Sequence, residues 1–251
     1  MGGAMLRGWM NSGVNTMDIM VLERKHFDRV KFDGITFISE ITESLLKERI
    51  ACIVIAVKPS HIEPLLTQLD PLIKLKPMIL SVVAGKNTDQ FSLYNNPVVR
   101  VMPNTPSAIN QGNLVMYKNN YVDSGLKRFA ESLMEPLGLN FWIEDESMMD
   151  LMTAVSGSGP AYVFYFMKLL KDRLIKGGID PMLSDQLVLN LISGSVAYKK
   201  VTGKSLEDLI DQVTSPGGTT EAALNVLRDS GELDTVIHKA LDAAIERSKN
   251  L

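Results

Sequence analysis

The stretch Cys52-Ile53-Val54-Ile55-Ala56-Val57-Lys58-Pro59 decides how the rest of the chain is read. Its apolar run is rich in β-branched side chains and ends at a lysine and a proline able to open a helix. No position is reserved for water, so the strand is expected to be buried on both faces, which is the habit of parallel sheets. Working outward, 34–38 and 19–22 read as two earlier strands and 41–48 as a helix. Residues 1–12 read as a helix because Ala4, Met5, Gly8 and Trp9 recur at helical spacing. Downstream follow a helix over 60–69, a buried strand over 78–83, a short helix over 88–94 and strands over 98–102 and 114–117. A helix over 124–135 and a strand over 139–143 complete the series. Strands alternating with helices imply an α/β, doubly wound sheet with parallel pairings.

After Ile143 the pattern changes. Glu144-Asp145-Glu146 is an acidic punctuation, and no strand is expected beyond it. The segments 160–176 and 183–201 are apolar almost all round, and a helix without a polar face is buried on every side. About 100 residues of helix cannot easily enclose two such helices, so a second subunit is expected to cover them. The last helix differs: Leu233, Val236, Ile237, Ala240, Leu241, Ala244 and Ile245 form one stripe at helical period. The chain is therefore expected to divide into 1–145, an α/β domain, and 146–251, a helical domain.

Composition narrows the function. The 251 residues are 45% hydrophobic and 22% charged with a net charge of −3, which argues against a general nucleic-acid or anionic-membrane binder. The longest apolar runs are far too short to span a bilayer. The one cysteine, Cys52, excludes an internal disulfide framework and fits a reducing compartment, the cytoplasm. Histidines at 26, 61 and 238 have no spacing that suggests a metal site, and none is expected. No signal peptide is expected from the opening residues.

Three segments rich in small residues each precede a helix. In Met1-Gly2-Gly3-Ala4-Met5, Gly2 matches the last glycine of a G-x-G-x-x-G turn, in which the backbone approaches a pyrophosphate at a helix start. Two glycines in a mobile terminus read the same way. Glu23 lies 21 positions after Gly2, where an acidic residue would bond an adenosine ribose 2′-OH, and Arg24 or Lys25 would instead hold a 2′-phosphate. The same residues also suit a solvated turn. Lys58-Pro59 and Arg100-Val101-Met102-Pro103-Asn104-Thr105-Pro106 follow strands, so Lys58, Asn104 and Thr105 are candidates to line a cleft or to build rigid connections. In Val155-Ser156-Gly157-Ser158-Gly159-Pro160-Ala161-Tyr162, a tight turn capped by Ser158 would open a helix at Pro160. Val213-Thr214-Ser215-Pro216-Gly217-Gly218-Thr219-Thr220-Glu221 opens a helix with two glycines, and its free N–H groups suit a small anion such as a carboxylate.

Taken in order along the chain, Ala56-Val57-Lys58-Pro59, the 100–106 segment, Ala154-Val155-Ser156-Gly157-Ser158-Gly159-Pro160-Ala161-Tyr162 and the 213–220 segment resemble pyrroline-5-carboxylate reductase. The resemblance implies a Rossmann-like domain followed by an all-α dimerisation domain that also binds substrate. It implies reduction of 1-pyrroline-5-carboxylate to L-proline with NADPH or NADH, in a homodimer whose copies assemble into larger rings such as a decamer. Val57, Lys58, Pro59 and Ala84 would line the cofactor site with Gly2, Glu23, Arg24 and Asn104. Ser215, Gly217, Gly218, Thr219 and Thr220 would form the substrate pocket, with the Thr220 hydroxyl at the ring nitrogen. Glu146, ten residues before Ser156, would favour the iminium form by its charge. Glu43 and Gln212 stand where the family often has asparagine near the cofactor.

Members of the family begin with a strand and a fingerprint similar to G-x-G-N-M-G, whereas this sequence starts at the methionine of that motif. The true start is accordingly expected upstream. The competing expectation is a truncated, non-catalytic dimeric scaffold. A third is a related NAD(P)-dependent dehydrogenase of another small acid. Such enzymes commonly carry a lysine on the first helix of the helical domain, and here only Lys168 and Lys171 are on offer, well away from the glycine-rich turn.

Overall fold

The computed structural model describes residues 1–23, 32, 34–228 and 231–251. It divides into two compact units, one of Met1–Pro160 with Ala244–Leu251, the other of Ala161–Ala243. The expected division at 145/146 falls inside the first unit. The last eight residues rejoin that unit because Ser248, buried, donates its hydroxyl to Asp150 Oδ1 at 2.6 Å.

The first unit is built on seven strands: β1 (Met20–Leu22), β2 (Thr36–Ile38), β3 (Cys52–Ile55), β4 (Met78–Ser81), β5 (Val98–Met102), β6 (Gly112–Lys118) and β7 (Gly138–Trp142). Strands β1 and β2 pair in parallel, and β3-β4-β5-β6-β7 form a second sheet in that order. No ladder among the described residues joins the two sheets, yet both feed the same cores. Val21, Phe37, Cys52, Val54, Met78, Leu80, Val99 and Val101 point to one cluster. Their sequence neighbours Leu22, Ile38, Ile53, Ile55, Ile79 and Val98 point to another. This alternation is the period of a strand, applied to a layer buried on both sides.

Helices cover both faces. On one lie α1 (Gly2–Asn11), through Met5, Leu6 and Trp9, and α3 (Ser124–Met134), through Ala130 and Met134. The indole of Trp9 donates to the carbonyl of Leu133 at 2.7 Å and ties the two together. On the other face lies α2 (Ile62–Ile73). Each large apolar side chain buried this way contributes about 1.5–3 kcal/mol.

Four expectations change. Strand β6 runs antiparallel to β5, because the link between them is only a 3₁₀ turn over Thr105–Ile109 and left-handed Asn110, too short for a crossover. The helix expected over 41–48 shrinks to a 3₁₀ turn, Leu45–Lys47, where the Thr42 hydroxyl accepts from Leu45 N at 3.4 Å and competes with helical bonding. The helix expected over 88–94 shrinks to Thr88–Gln90. The break expected at Ser158 is a π-helical turn, Thr153–Gly157, that follows the short α4 (Met149–Met152), with Ser158 N bonded to Thr153 O at 2.9 Å.

The second unit holds most of α5 (Gly159–Lys176), then α6 (Pro181–Thr202), α7 (Leu206–Gln212), α8 (Thr219–Arg228) and most of α9 (Glu232–Lys249). Helix α7 was not expected, although Ser205 and Asp208 carry its start signal: the Ser205 hydroxyl accepts from Asp208 N at 3.0 Å. Within one chain α5 and α6 stay uncovered. Phe164 and Tyr165 are each 62% exposed, and Leu189, Leu191 and Val196 are about half exposed. That is the condition expected of helices whose cover comes from another subunit. No helix of the described residues is long and apolar enough to cross a membrane.

The docking of α1 depends on Gly8, where a Cβ would lie 2.4 Å from both Leu137 Cδ2 and the Ser107 carbonyl oxygen. Backbone cannot yield as a side-chain end can. Gly8→Val is therefore expected to cost about 3 kcal/mol, the upper end of overpacking, in urea denaturation. An unchanged midpoint would mean that α1 does not pack there.

Candidate active site

The carboxyl ends of parallel strands are where an open α/β sheet binds ligands. After β3 the chain runs Ala56-Val57-Lys58, and Pro59 opens a 3₁₀ turn over Pro59–His61 with Lys58 as its extended N-cap. Helix α1 starts beside this corner, since a Cβ on Gly2 would lie 3.2 Å from Ala56 Cβ. That helix start has no side-chain cap. A capless start, with glycine where a side chain would meet β3, fits the pyrophosphate of a dinucleotide. Glu23 lies at the end of β1, its N–H bonded to Ile38 O at 3.0 Å. Arg24 lies outside the described residues.

Beyond β4, Val82 N extends the ladder to Ile55 O at 3.0 Å, and Ala84 packs against Met102, Val115 and Met149. Gly85 follows at φ +70°, where a Cβ would strike Ser248 O at 2.5 Å. Only glycine takes that backbone angle freely.

Beneath this segment sits a charge network that sequence reasoning missed. Arg100 occupies the middle of β5, buried at all five positions, and is 2% exposed. Its Nη1 donates to Asn87 Oδ1 at 3.0 Å and to Glu146 Oε1 at 3.3 Å, while Nη2 lies 4.0 Å from Asp150 Oδ1. Glu146 is held from a second side, accepting from Thr88 N and Thr88 Oγ1, each at 2.8 Å. Its carboxylate thus caps the Thr88–Gln90 turn and pairs with a buried guanidinium. The pairing discounts the negative charge it was expected to offer an iminium. The sequence did carry a signal for Arg100: a charged residue inside Val98-Val99-Arg100-Val101-Met102, where an apolar one is the norm.

The surroundings shift nearby groups. Burial, then the negative charges of Glu146, Asp145 and Asp89, push the Tyr117 phenol above its usual range. Hydrogen bonds from Ser147 hold Asp145 below the usual carboxylate range. Burial pushes the Cys52 thiol up to about 12, so it is no nucleophile at neutral pH.

Asn104 was a candidate either to line a cleft or to build a rigid connection. Its carboxamide bridges the chain to itself, donating to Ser156 O at 3.2 Å and accepting from Asn113 N at 3.0 Å. It therefore clamps the π-helical turn to β6. Gly157 in that turn lies against Met102, where a Cβ would come within 3.2 Å of the sulfur. π-Turns of this kind often mark functional segments.

In the second unit, the Gln212 side chain is likewise engaged, donating to the Tyr198 hydroxyl at 2.8 Å and accepting from Lys204 Nζ at 2.9 Å. The turn that follows is built around Gly217 at φ +71°, with Gly218 N bonded to Ser215 O at 2.9 Å. Thr219 and Thr220 begin α8. Gly217 N donates to the Glu221 carboxylate at 2.7 Å, so an N–H of this turn holds a carboxylate. Ser215, Gly217, Gly218, Thr219 and Thr220 thus come together on one turn.

Residues 146–251 match the family model described as pyrroline-5-carboxylate reductase dimerisation. The chain is 36% identical to pyrroline-5-carboxylate reductase 1 of Bacillus subtilis over 214 residues, covering 84% of this chain and 71% of that protein. It is 32% identical to the pyrroline-5-carboxylate reductase of Pseudomonas aeruginosa over 257 residues, covering 100% and 93%. Among solved structures it is similar to the Plasmodium falciparum pyrroline carboxylate reductase with NADP bound. That match has a TM-score of 0.89 and 30% identity, covering 99% of this chain and 93% of the other.

Removing one partner of a buried ion pair leaves the other uncompensated, so Glu146→Ala is expected to destabilise the protein by about 3 kcal/mol. Chemical denaturation checks this. A melt equal to the parent's would place the compensation of Arg100 on Asn87 and Asp150.

Proposed function

This chain belongs to the pyrroline-5-carboxylate reductase family, and we propose that it works as an NAD(P)H-dependent reductase of the C=N bond of 1-pyrroline-5-carboxylate, giving L-proline. One observation carries the assignment of the substrate end: a main-chain N–H of the doubled-glycine turn holds a carboxylate, that of Glu221, at 2.7 Å. A substrate carboxylate meets the same chemistry by taking the place of Glu221 at Gly217 N–H, with Ser215 and Thr219 supplying further N–H groups, Gly218 closing the turn on Ser215, and a positive helix end behind them. The Thr220 hydroxyl then hydrogen-bonds the ring nitrogen of the protonated imine and fixes the orientation of its reacting carbon. A protonated imine is already electrophilic, so no strong general acid is required. Glu146 contributes the remainder of its field, reduced by Arg100.

When bound, NAD(P)H supplies the hydride. Among this chain's residues, Gly2 N–H and the start of α1 hold the pyrophosphate, and Glu23 takes the ribose 2′-OH or Arg24 a 2′-phosphate. Val57, Lys58, Pro59 and Ala84 line the nicotinamide side. Asn104 and Gln212 support the site through the bonds each makes within its own unit. The protein works as a homodimer whose interface includes the uncovered faces of α5 and α6. We extend this to a ring of dimers, up to a decamer, and place the reaction in the cytoplasm, the reducing compartment that a lone cysteine fits.

The parent chain is expected to oxidise NADPH or NADH only when 1-pyrroline-5-carboxylate is supplied. In Thr220→Val, loss of a hydrogen bond to a charged group, about 1.5–3 kcal/mol, lowers kcat/KM by roughly 10- to 100-fold. A variant as fast as the parent would remove Thr220 from the chemistry. An intact dimer that binds neither dinucleotide would instead identify a scaffold.

A further inference from the structure

We propose that Arg100 is a positioning residue for dinucleotide binding, fixing from beneath the 84–90 segment that follows β4. This rests on the reading above, in which Ala84 lines the cofactor site. Arg100 is the one buried charged side chain among the described residues. A strand covered on both faces normally excludes such a group, because burying a charge is costly unless it is paired and hydrogen-bonded.

What the guanidinium holds identifies its task. Both of its hydrogen bonds leave from Nη1, one to Asn87 Oδ1 at 3.0 Å and one to Glu146 Oε1 at 3.3 Å. Asn87 belongs to the segment directly. Glu146 reaches it through the Thr88 N–H and hydroxyl, both at 2.8 Å. The segment is therefore gripped twice by one cation. Asn87 and Gln90 add a reciprocal cap, with Asn87 N bonded to Gln90 Oε1 at 3.0 Å. From the other side, Ser248 and Leu251 close over Gly85 so tightly that a Cβ would meet them at 2.5 and 2.7 Å.

Such a clamp leaves Ala84 and Gly85 one conformation, at the carboxyl end of a parallel strand. Order paid for in the free protein is not charged to ligand binding, so preorganisation shows as affinity. Lysine cannot replace the clamp, since both bonds leave from Nη1 and an ammonium ends one bond short of that nitrogen.

The test uses the full chain with Arg100→Lys and Asn87→Ala, the second at an exposed position. Dissociation constants for NADPH and NADH come from calorimetry without substrate, and hydrogen exchange is followed in peptides spanning 84–91. In Arg100→Lys the dissociation constant and KM for the dinucleotide are expected to rise about tenfold. The imine KM should stay within about twofold, and exchange over 84–91 should quicken. Asn87→Ala should move the same quantities about threefold. A purely structural role would lower the melting temperature and the active fraction while leaving dinucleotide affinity unchanged. Affinities within about twofold of the parent in both variants overturn the proposal, as does faster exchange with no loss of affinity. Should Arg100→Lys fail to fold, Asn87→Ala decides alone by the same two readings. A parent chain that binds neither dinucleotide overturns the functional reading and this proposal together, and is distinguished because the defect precedes any substitution.

Discussion

The layer formed by β1 to β5 must be covered on both faces, and the rest of the first unit follows from that constraint. Successive side chains of each strand enter opposite cores, so neither face is free for water. Helices α1 and α3 close one side and α2 the other. Covered faces leave ligands only the strand ends. Hence Val57, Lys58, Ala84 and the start of α1 gather at one rim, where a glycine approaches β3 too closely for any side chain to intrude comfortably.

Within that layer Arg100 is the exception that organises the rim. Its position on β5 places it on the face shared by Val98 and Met102, between two apolar clusters. Glu146 and Asn87 answer its charge, and Asp150 stands farther off. The residue expected to act on substrate is thereby drawn into holding the backbone. A single carboxylate cannot give its full field to a ligand while bonded to a guanidinium and two donors of Thr88. The chemistry of the family tolerates this, because an iminium needs orientation and a hydride more than it needs a strong acid.

The second unit solves a different problem. Its helices α5 and α6 carry more apolar surface than one chain covers, and a dimer removes that surface from water. Its glycine-rich turn depends less on packing than on backbone. Gly217 takes a left-handed angle and gives its N–H to the Glu221 carboxylate, while Gly218 closes the turn on Ser215. A turn of this type is specified by conformation, which is why it could be read from two adjacent glycines ahead of a helix.

The sequence by itself determined the type of nearly every element, the change from alternating strands to helices after Ile143, the doubled-glycine turn and the surplus of apolar helix surface. All of these are set over a few residues, by period, propensity and backbone freedom. Helix α7 lay within the same reach, through Ser205 and Asp208, and was overlooked. Only the tertiary structure decided that β6 turns antiparallel, that Asn104 clamps a π-turn 52 residues away, and that Ser248 returns to Asp150 across 98. It also decided the partners of Arg100, 13 and 46 residues distant. A buried charge or amide must find its partner in space, and no local pattern records which distant side chain the fold will bring to it.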